Sequence, residues 1–138
     1  MKSNFFVRLL PVFLLVVGLL SGCATQLETR TTFLTSGIWQ FQSVENPALD
    51  QDTKDFYAAL LGLADFQFLE DGTYEVVYEP NTFDDYVGTW EFNDDATVLT
   101  LDAGTADETA NTIVELTEQT LVFTYVDSTG TNELTYIQ

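Results

Sequence analysis

The sequence predicts an all-β protein: eight antiparallel strands in an up-and-down meander that closes into a barrel, with one short helix between the first and second strands. Two observations carry this. From residue 37 onward apolar and aromatic residues recur with period two, which places one set on a buried face of a pleated strand. The rows are separated by short runs of Gly, Asp, Asn, Ser and Thr, long enough for hairpin turns and too short for the crossovers that parallel strands need. Closure removes the exposed edges that an open sheet of this kind would leave.

The first strand opens at Gly37-Ile38-Trp39-Gln40-Phe41-Gln42, with Trp39 and Phe41 on one face and Gln40 and Gln42 on the other. The helix follows. Asp52 is placed to cap it, Asp55 sits near the positive end of its dipole, and Gly62 is placed to stop it. Phe56, Ala59, Leu60 and Leu63 fall at i, i+3, i+4 and i+7, one apolar stripe. A helix of about ten residues is marginal alone in water, so this stripe is expected to lie on the sheet. Phe66 and Phe68 make the second strand, and Asp71-Gly72 a tight turn. Tyr74, Val76 and Tyr78 form the next inward row, and 80–85 a loop. Tyr86, Gly88, Trp90 and Phe92 share a face, and Asn93-Asp94-Asp95 turns the chain. Leu99 and Leu101 follow, then a polar, acidic stretch over 103–111 that is expected to be the longest loop. The short strand 113–116 carries apolar residues at both ends, which suggests a bulge. Leu121, Phe123 and Tyr125 make a clear row, Ser128-Thr129-Gly130 turns, and Leu134 and Tyr136 close the chain. Gly88-Thr89-Trp90-Glu91-Phe92 echoes Gly37-Ile38-Trp39-Gln40-Phe41, either as a four-strand internal repeat or as one useful pattern used twice.

The beginning of the chain has a different character. Lys2 and Arg8 precede an apolar run from Leu9 to Leu20 that ends in Leu20-Ser21-Gly22-Cys23. A basic start, a short apolar stretch and small residues before a boundary read as an export signal. Spanning a bilayer takes about 20 apolar residues, more than this run supplies, and Pro11 interrupts it. Leu20-Ser21-Gly22-Cys23 resembles the lipobox of bacterial lipoproteins. The resemblance implies cleavage before Cys23, lipidation of its thiol, and acyl chains such as palmitate holding the protein to a membrane. The alternative, a free or disulfide-bonded cysteine, lacks a second cysteine in the chain to pair with. The organisation expected is therefore a signal peptide over 1–22, a lipidated cysteine and polar tether over 23–35, and the barrel over 36–138. Ala24 is not the aspartate that retains lipoproteins at the inner membrane of some enterobacteria. This leans the expected location in the cell envelope towards the outer membrane.

Charge constrains partners. All 22 acidic residues lie beyond the signal, where only Arg30 and Lys54 are basic. Nucleic acid is set aside, because phosphate binding needs a basic footprint. Adsorption to anionic head groups is disfavoured for the same reason, so the lipid must do the tethering. The acidity reads either as solubility through self-repulsion or as adaptation to a saline habitat, where salt screens that repulsion.

Gly37-Ile38-Trp39 resembles the Gly-x-Trp motif of lipocalins, in which the tryptophan packs across the closed end of the barrel. Phe68-x-x-Asp71-Gly72-Thr73-Tyr74, Gly88-Thr89-Trp90 and Leu116-Thr117 followed by Leu121 resemble small lipocalin-like lipoproteins of Bacteroidota. The resemblance covers roughly 33–138. It departs from full lipocalins in lacking a late Thr-Asp-Tyr motif, an arginine near the last strand to stack on Trp39, and the long C-terminal helix.

The residue inventory points away from an enzyme. There is no histidine, the cysteine is expected to be acylated, and neither a Gly-x-Ser-x-Gly elbow nor a phosphate loop occurs. The carboxylate pairs Asp84-Asp85 and Asp94-Asp95 are expected by chance among so many acids and show no calcium-loop spacing. No metal or cofactor is expected. The residues that draw attention are the inward aromatics: Trp39, Phe41, Phe66, Phe68, Tyr74, Tyr78, Trp90, Phe92, Phe123, Tyr125 and Tyr136. They either fill a solid core or line a cavity for a small hydrophobic ligand that tyrosine hydroxyls orient. Two functions follow: a tethered ligand-binding barrel, or a non-enzymatic structural lipoprotein with a filled barrel and an acidic partner-binding surface.

Overall fold

The computed structural model describes residues 25–79 and 83–138. The signal segment and Cys23 lie outside them, as do 80–82 of the loop expected at 80–85. The described chain begins with a helix over 25–34, α1. It continues through β1 (Ile38–Glu45), α2 (Gln51–Leu61), β2 (Ala64–Phe68), β3 (Thr73–Tyr78) and β4 (Tyr86–Phe92). Then come β5 (Val98–Leu101), β6 (Thr109–Leu116), β7 (Thr120–Asp127) and β8 (Gly130–Ile137). Each strand pairs antiparallel with the next, and β8 returns to β1, with Gln40 opposite Ile137 and Val44 opposite Leu134, so the sheet is a closed barrel. The eight-stranded up-and-down meander and the helix between β1 and β2 are as the period-two rows predict.

The two ends of the barrel differ. One holds α1, the Asp71-Gly72 turn, the 93–97 turn and the C-terminus. Arg30 of α1 donates to the Ala96 carbonyl at 2.6 Å, and Ser36 exchanges hydrogen bonds with Gln138. Trp39 is fully buried here, its indole Nε1 donating to the Leu34 carbonyl at 2.8 Å. At this end Trp90 likewise donates from Nε1 to the Leu69 carbonyl at 2.9 Å. The echo between 37–41 and 88–92 thus has one physical content. Each tryptophan satisfies its indole N–H on a carbonyl outside its own strand, Trp39 fully buried and Trp90 partly so. The opposite end carries α2 and the loops after β3 and β5. Asn46 fastens it by donating to Asn132 Oδ1 at 2.8 Å and to Thr129 at 3.2 Å.

Three hairpin turns share one device. Asp71, Asp95 and Asp127 each accept, through Oδ1, both the backbone N–H and the hydroxyl of the threonine two residues on, the hydroxyl at 2.6 Å in every case. The side chain occupies the place of a backbone turn partner, which is why Asp-x-Thr suits a reversal. Gly72 in the first of them has φ +86°, the left-handed region open to glycine.

Four expectations need correction. The polar stretch expected to be a tether is helical over 25–34 and packs on the barrel, with Leu27, Arg30 and Thr31 partly buried and Leu34 fully so. Those positions are a stripe at i, i+3, i+4 and i+7. Leu27 and Leu34 are its two leucines, with Arg30 and Thr31 between them, so composition hid it. Thr29, Thr32 and Thr35 bond back to the carbonyls four residues earlier, which keeps their hydroxyls satisfied inside a helix. In α2 the cap is Asp50, not Asp52; its carboxylate accepts from the Thr53 N–H at 2.8 Å. The face turned to the barrel carries Tyr57 and Leu61, while Phe56 of the expected stripe is 64% exposed. Finally β6 starts at Thr109, inside the expected 103–111 loop, and its register shifts between Ile113 and Glu115, where the bulge was expected.

Candidate functional site

A cavity of about 310 Å³ lies inside the barrel. It is lined by Trp39 of β1, Phe66 and Phe68 of β2, Leu99 of β5, Leu121 of β7 and Leu134 of β8. Leu101, Phe123, Tyr125, Tyr136, Thr109 and Asn111 complete the wall. Alternation explains why these side chains meet: on each strand they occupy the inward set of the pleat, and closure turns every inward set to one axis. Thr109 is exposed and Tyr125 half-buried, so the cavity reaches solvent between the start of β6 and the end of β7. The paired register of those strands stops at Thr112 opposite Thr124, leaving this stretch without a ladder.

Six of the eleven aromatic candidates line this space: Trp39, Phe66, Phe68, Phe123, Tyr125 and Tyr136. The other five go into the wall. Phe41 packs edge-on against Tyr136 with ring centroids 5.7 Å apart, and Tyr78 against Phe83 at 5.2 Å. Trp90 sits edge-on between Phe68 at 6.1 Å and Phe92 at 5.6 Å. Tyr74 is taken up by a buried carboxylate. Its hydroxyl donates to Asp102 Oδ2 at 2.7 Å, beside a second donation from Tyr86 at 3.1 Å, while the Thr89 N–H donates to Asp102 Oδ1 at 3.0 Å.

The Asp102 cluster ties β3 and β4 to the residue that follows β5. Burial opposes ionisation of Asp102, but the hydrogen bonds from Tyr74, Thr89 and Tyr86 outweigh it, and the carboxyl is held below the usual range. Burial, then the hydrogen bond to the carboxylate, pushes the Tyr74 hydroxyl far up, so it stays protonated as a donor. Asp102 itself adopts φ +53°, a conformation aspartate tolerates better than most residues. Gly88 lies directly beneath: a Cβ there would meet the Asp102 carboxylate and the Tyr74 ring.

Sequence reasoning passed over half of the lining. Leu99, Leu101, Leu121 and Leu134 were legible as inward positions but carried no chemical mark. Thr109 and Asn111 fell within an expected loop. Asn111 is buried, and its Nδ2 donates to the Leu99 carbonyl at 3.1 Å. Tyr136 is 4% exposed, and burial pushes its hydroxyl upward, reinforced by the neighbouring Tyr125 and Tyr78. The acidic pairs have structural work: Asp95 closes its turn, and Asp85 accepts from the Tyr78 N–H at 3.3 Å. Among the described residues no group of three or more His, Cys, Asp or Glu side chains is arranged to hold a metal ion.

Residues 35–123 match a family model described as a lipocalin-like domain. No curated protein sequence matches the chain.

Proposed function

The chain belongs to the lipocalin-like domain family, and from that membership we propose that its barrel binds one small hydrophobic molecule, on a protein tethered to a membrane in the cell envelope through lipidated Cys23. The observation that carries the binding reading is the cavity of about 310 Å³ walled by aromatic and aliphatic side chains, at the small end of the range for ligand pockets. Such a surface gains by excluding water at about 25 cal/mol per Å² of apolar area covered. The aromatic rows do not fill the barrel completely, which favours a binding module over a solid structural one.

Tethering rests on the lipobox resemblance at Leu20-Ser21-Gly22-Cys23 and on the acidic surface, which an anionic membrane repels. An acyl anchor supplies about 0.8 kcal/mol per buried methylene and overcomes that repulsion.

Two experiments test the parts separately. Nile red, an uncharged apolar dye, should bind the purified barrel with enhanced fluorescence, and Leu121→Trp, whose larger ring intrudes into the cavity from its wall, should weaken it. Absence of binding by a folded wild-type barrel removes the ligand reading. Cys23→Ser should move the protein out of the membrane fraction; unchanged partitioning removes the anchor.

A further inference from the structure

We propose that the cavity selects an uncharged amphiphile, an apolar body ending in one hydrogen-bonding oxygen group, and discriminates against ligands with a carboxylate or an ammonium head. This rests on the ligand-binding reading above and narrows it to a chemical class.

The polar atoms of the cavity are few and neutral. Tyr136 lies nine-tenths or more buried in its wall, and Tyr125 lines it beside the solvent opening. Neither hydroxyl makes a hydrogen bond among the described residues. Both residues line the space a ligand would fill, where their hydroxyls can donate to it. Asn111 is oriented by donating from Nδ2 to the Leu99 and Thr109 carbonyls, which makes its Oδ1 the acceptor left over. Together these offer two donors and one acceptor, the complement of an alcohol, ester or ketone.

Charge excludes the other heads. No Lys or Arg lines the cavity. Arg30 is at the far end, bonded to the Ala96 carbonyl, and Lys54 is paired with Glu45 at 3.0 Å. The elements around the opening carry Asp107, Glu108 and Asp127. A carboxylate would pass this acidic rim and lose its water with no cation to replace it. An ammonium would be drawn to the rim but would find no carboxylate in the wall, so it stays outside the apolar space.

Three ligands with the same ten-carbon chain separate the cases: 1-decanol, decanoate and decylammonium, competing against Nile red at pH 8 on the wild type and on Tyr125→Phe/Tyr136→Phe. The expected result is decanol competing at least about tenfold better than either ion. The double variant, folded as judged by an unchanged circular-dichroism spectrum, should lose about fivefold of decanol affinity measured directly by isothermal titration calorimetry, the scale of one or two neutral hydrogen bonds. Decanoate or decylammonium competing as well as decanol overturns the selectivity and leaves the cavity reading intact. Unchanged decanol affinity in the double variant overturns the role of the hydroxyls. Failure of Nile red to bind the folded wild type removes the cavity reading itself, and this inference with it.

Discussion

Leu34 is the residue on which the docking of α1 can be decided. It has no exposed surface, it ends the inward stripe of the helix, and its carbonyl receives the Trp39 indole. Leu34→Ala removes three carbons from that site. At about 0.8 kcal/mol per methylene the transfer loss is about 2.4 kcal/mol, and the void left beneath α1 raises it to about 3 kcal/mol, near the lower end of the Leu→Ala range. For a domain of this size each kcal/mol shifts Tm by about 4 °C, giving a fall of about 12 °C. Urea unfolding followed by tryptophan fluorescence measures the free energy, and differential scanning calorimetry the Tm. Phe56→Ala is the matched control. The side chain is larger but 64% exposed on α2, so its loss should stay within about 0.5 kcal/mol. A Leu34→Ala loss below 1 kcal/mol, or a Phe56→Ala loss as large as that of Leu34→Ala, would refute the docking of α1 and restore the tether.

Gly88→Ala should destabilise the barrel by about 2 kcal/mol, because the new methyl group meets the Asp102 carboxylate and the Tyr74 ring; a neutral effect on urea unfolding would show that the cluster can give way. Asp71, Asp95 and Asp127 are each held below the ordinary value of 3.8, first by the threonine hydroxyl and then by the threonine N–H. Their folded-state values lie below the unfolded ones, so the turns contribute stability above pH 3.8 and lose it as pH falls through the folded values. In 0.5 M NaCl, the triple variant Asp71→Ala/Asp95→Ala/Asp127→Ala should melt below the wild type at pH 7, with the gap narrowing below pH 3.8; a gap of constant size down to pH 2.5 argues against the turns. Lys54–Glu45 is the one ion pair among the described residues, against 22 acids in the chain. Tm should therefore rise between 0.05 M and 1 M KCl as self-repulsion is screened, and a flat profile rejects repulsion as a cost to folding.

Strand rows were readable because period two is a local property. Tyr74-Val76-Tyr78 and Leu121-Phe123-Tyr125 display their inward set whatever they pair with, and Asp71-Gly72 marks its reversal without help. Helix faces were less readable. In α2 the barrel takes Tyr57 and Leu61 rather than the expected stripe through Phe56 and Leu60, and nothing local distinguishes the two faces. In α1, Leu27 and Leu34 with Arg30 between them look like a polar segment until the 93–97 turn supplies the carbonyl that takes the arginine. The site divides in the same way. Its aromatic half was visible, but Thr109 and Asn111 were not, since a polar run with few apolar residues reads as loop until β5 offers it an edge to pair with.

By itself the sequence determined the fold class, the strand count, the two tryptophan positions and the acidic, histidine-free character that shapes every proposal about partners. Each follows from composition or from a periodicity spanning only a few residues. The tertiary structure decided which inward side chains bound the cavity and which are spent on the wall. It also placed Asp102 under two tyrosines and turned Leu34 inward as a plug. Those outcomes depend on closure, which brings β1 against β8 across nearly the whole chain, and no local pattern specifies what lies on the other side of a barrel.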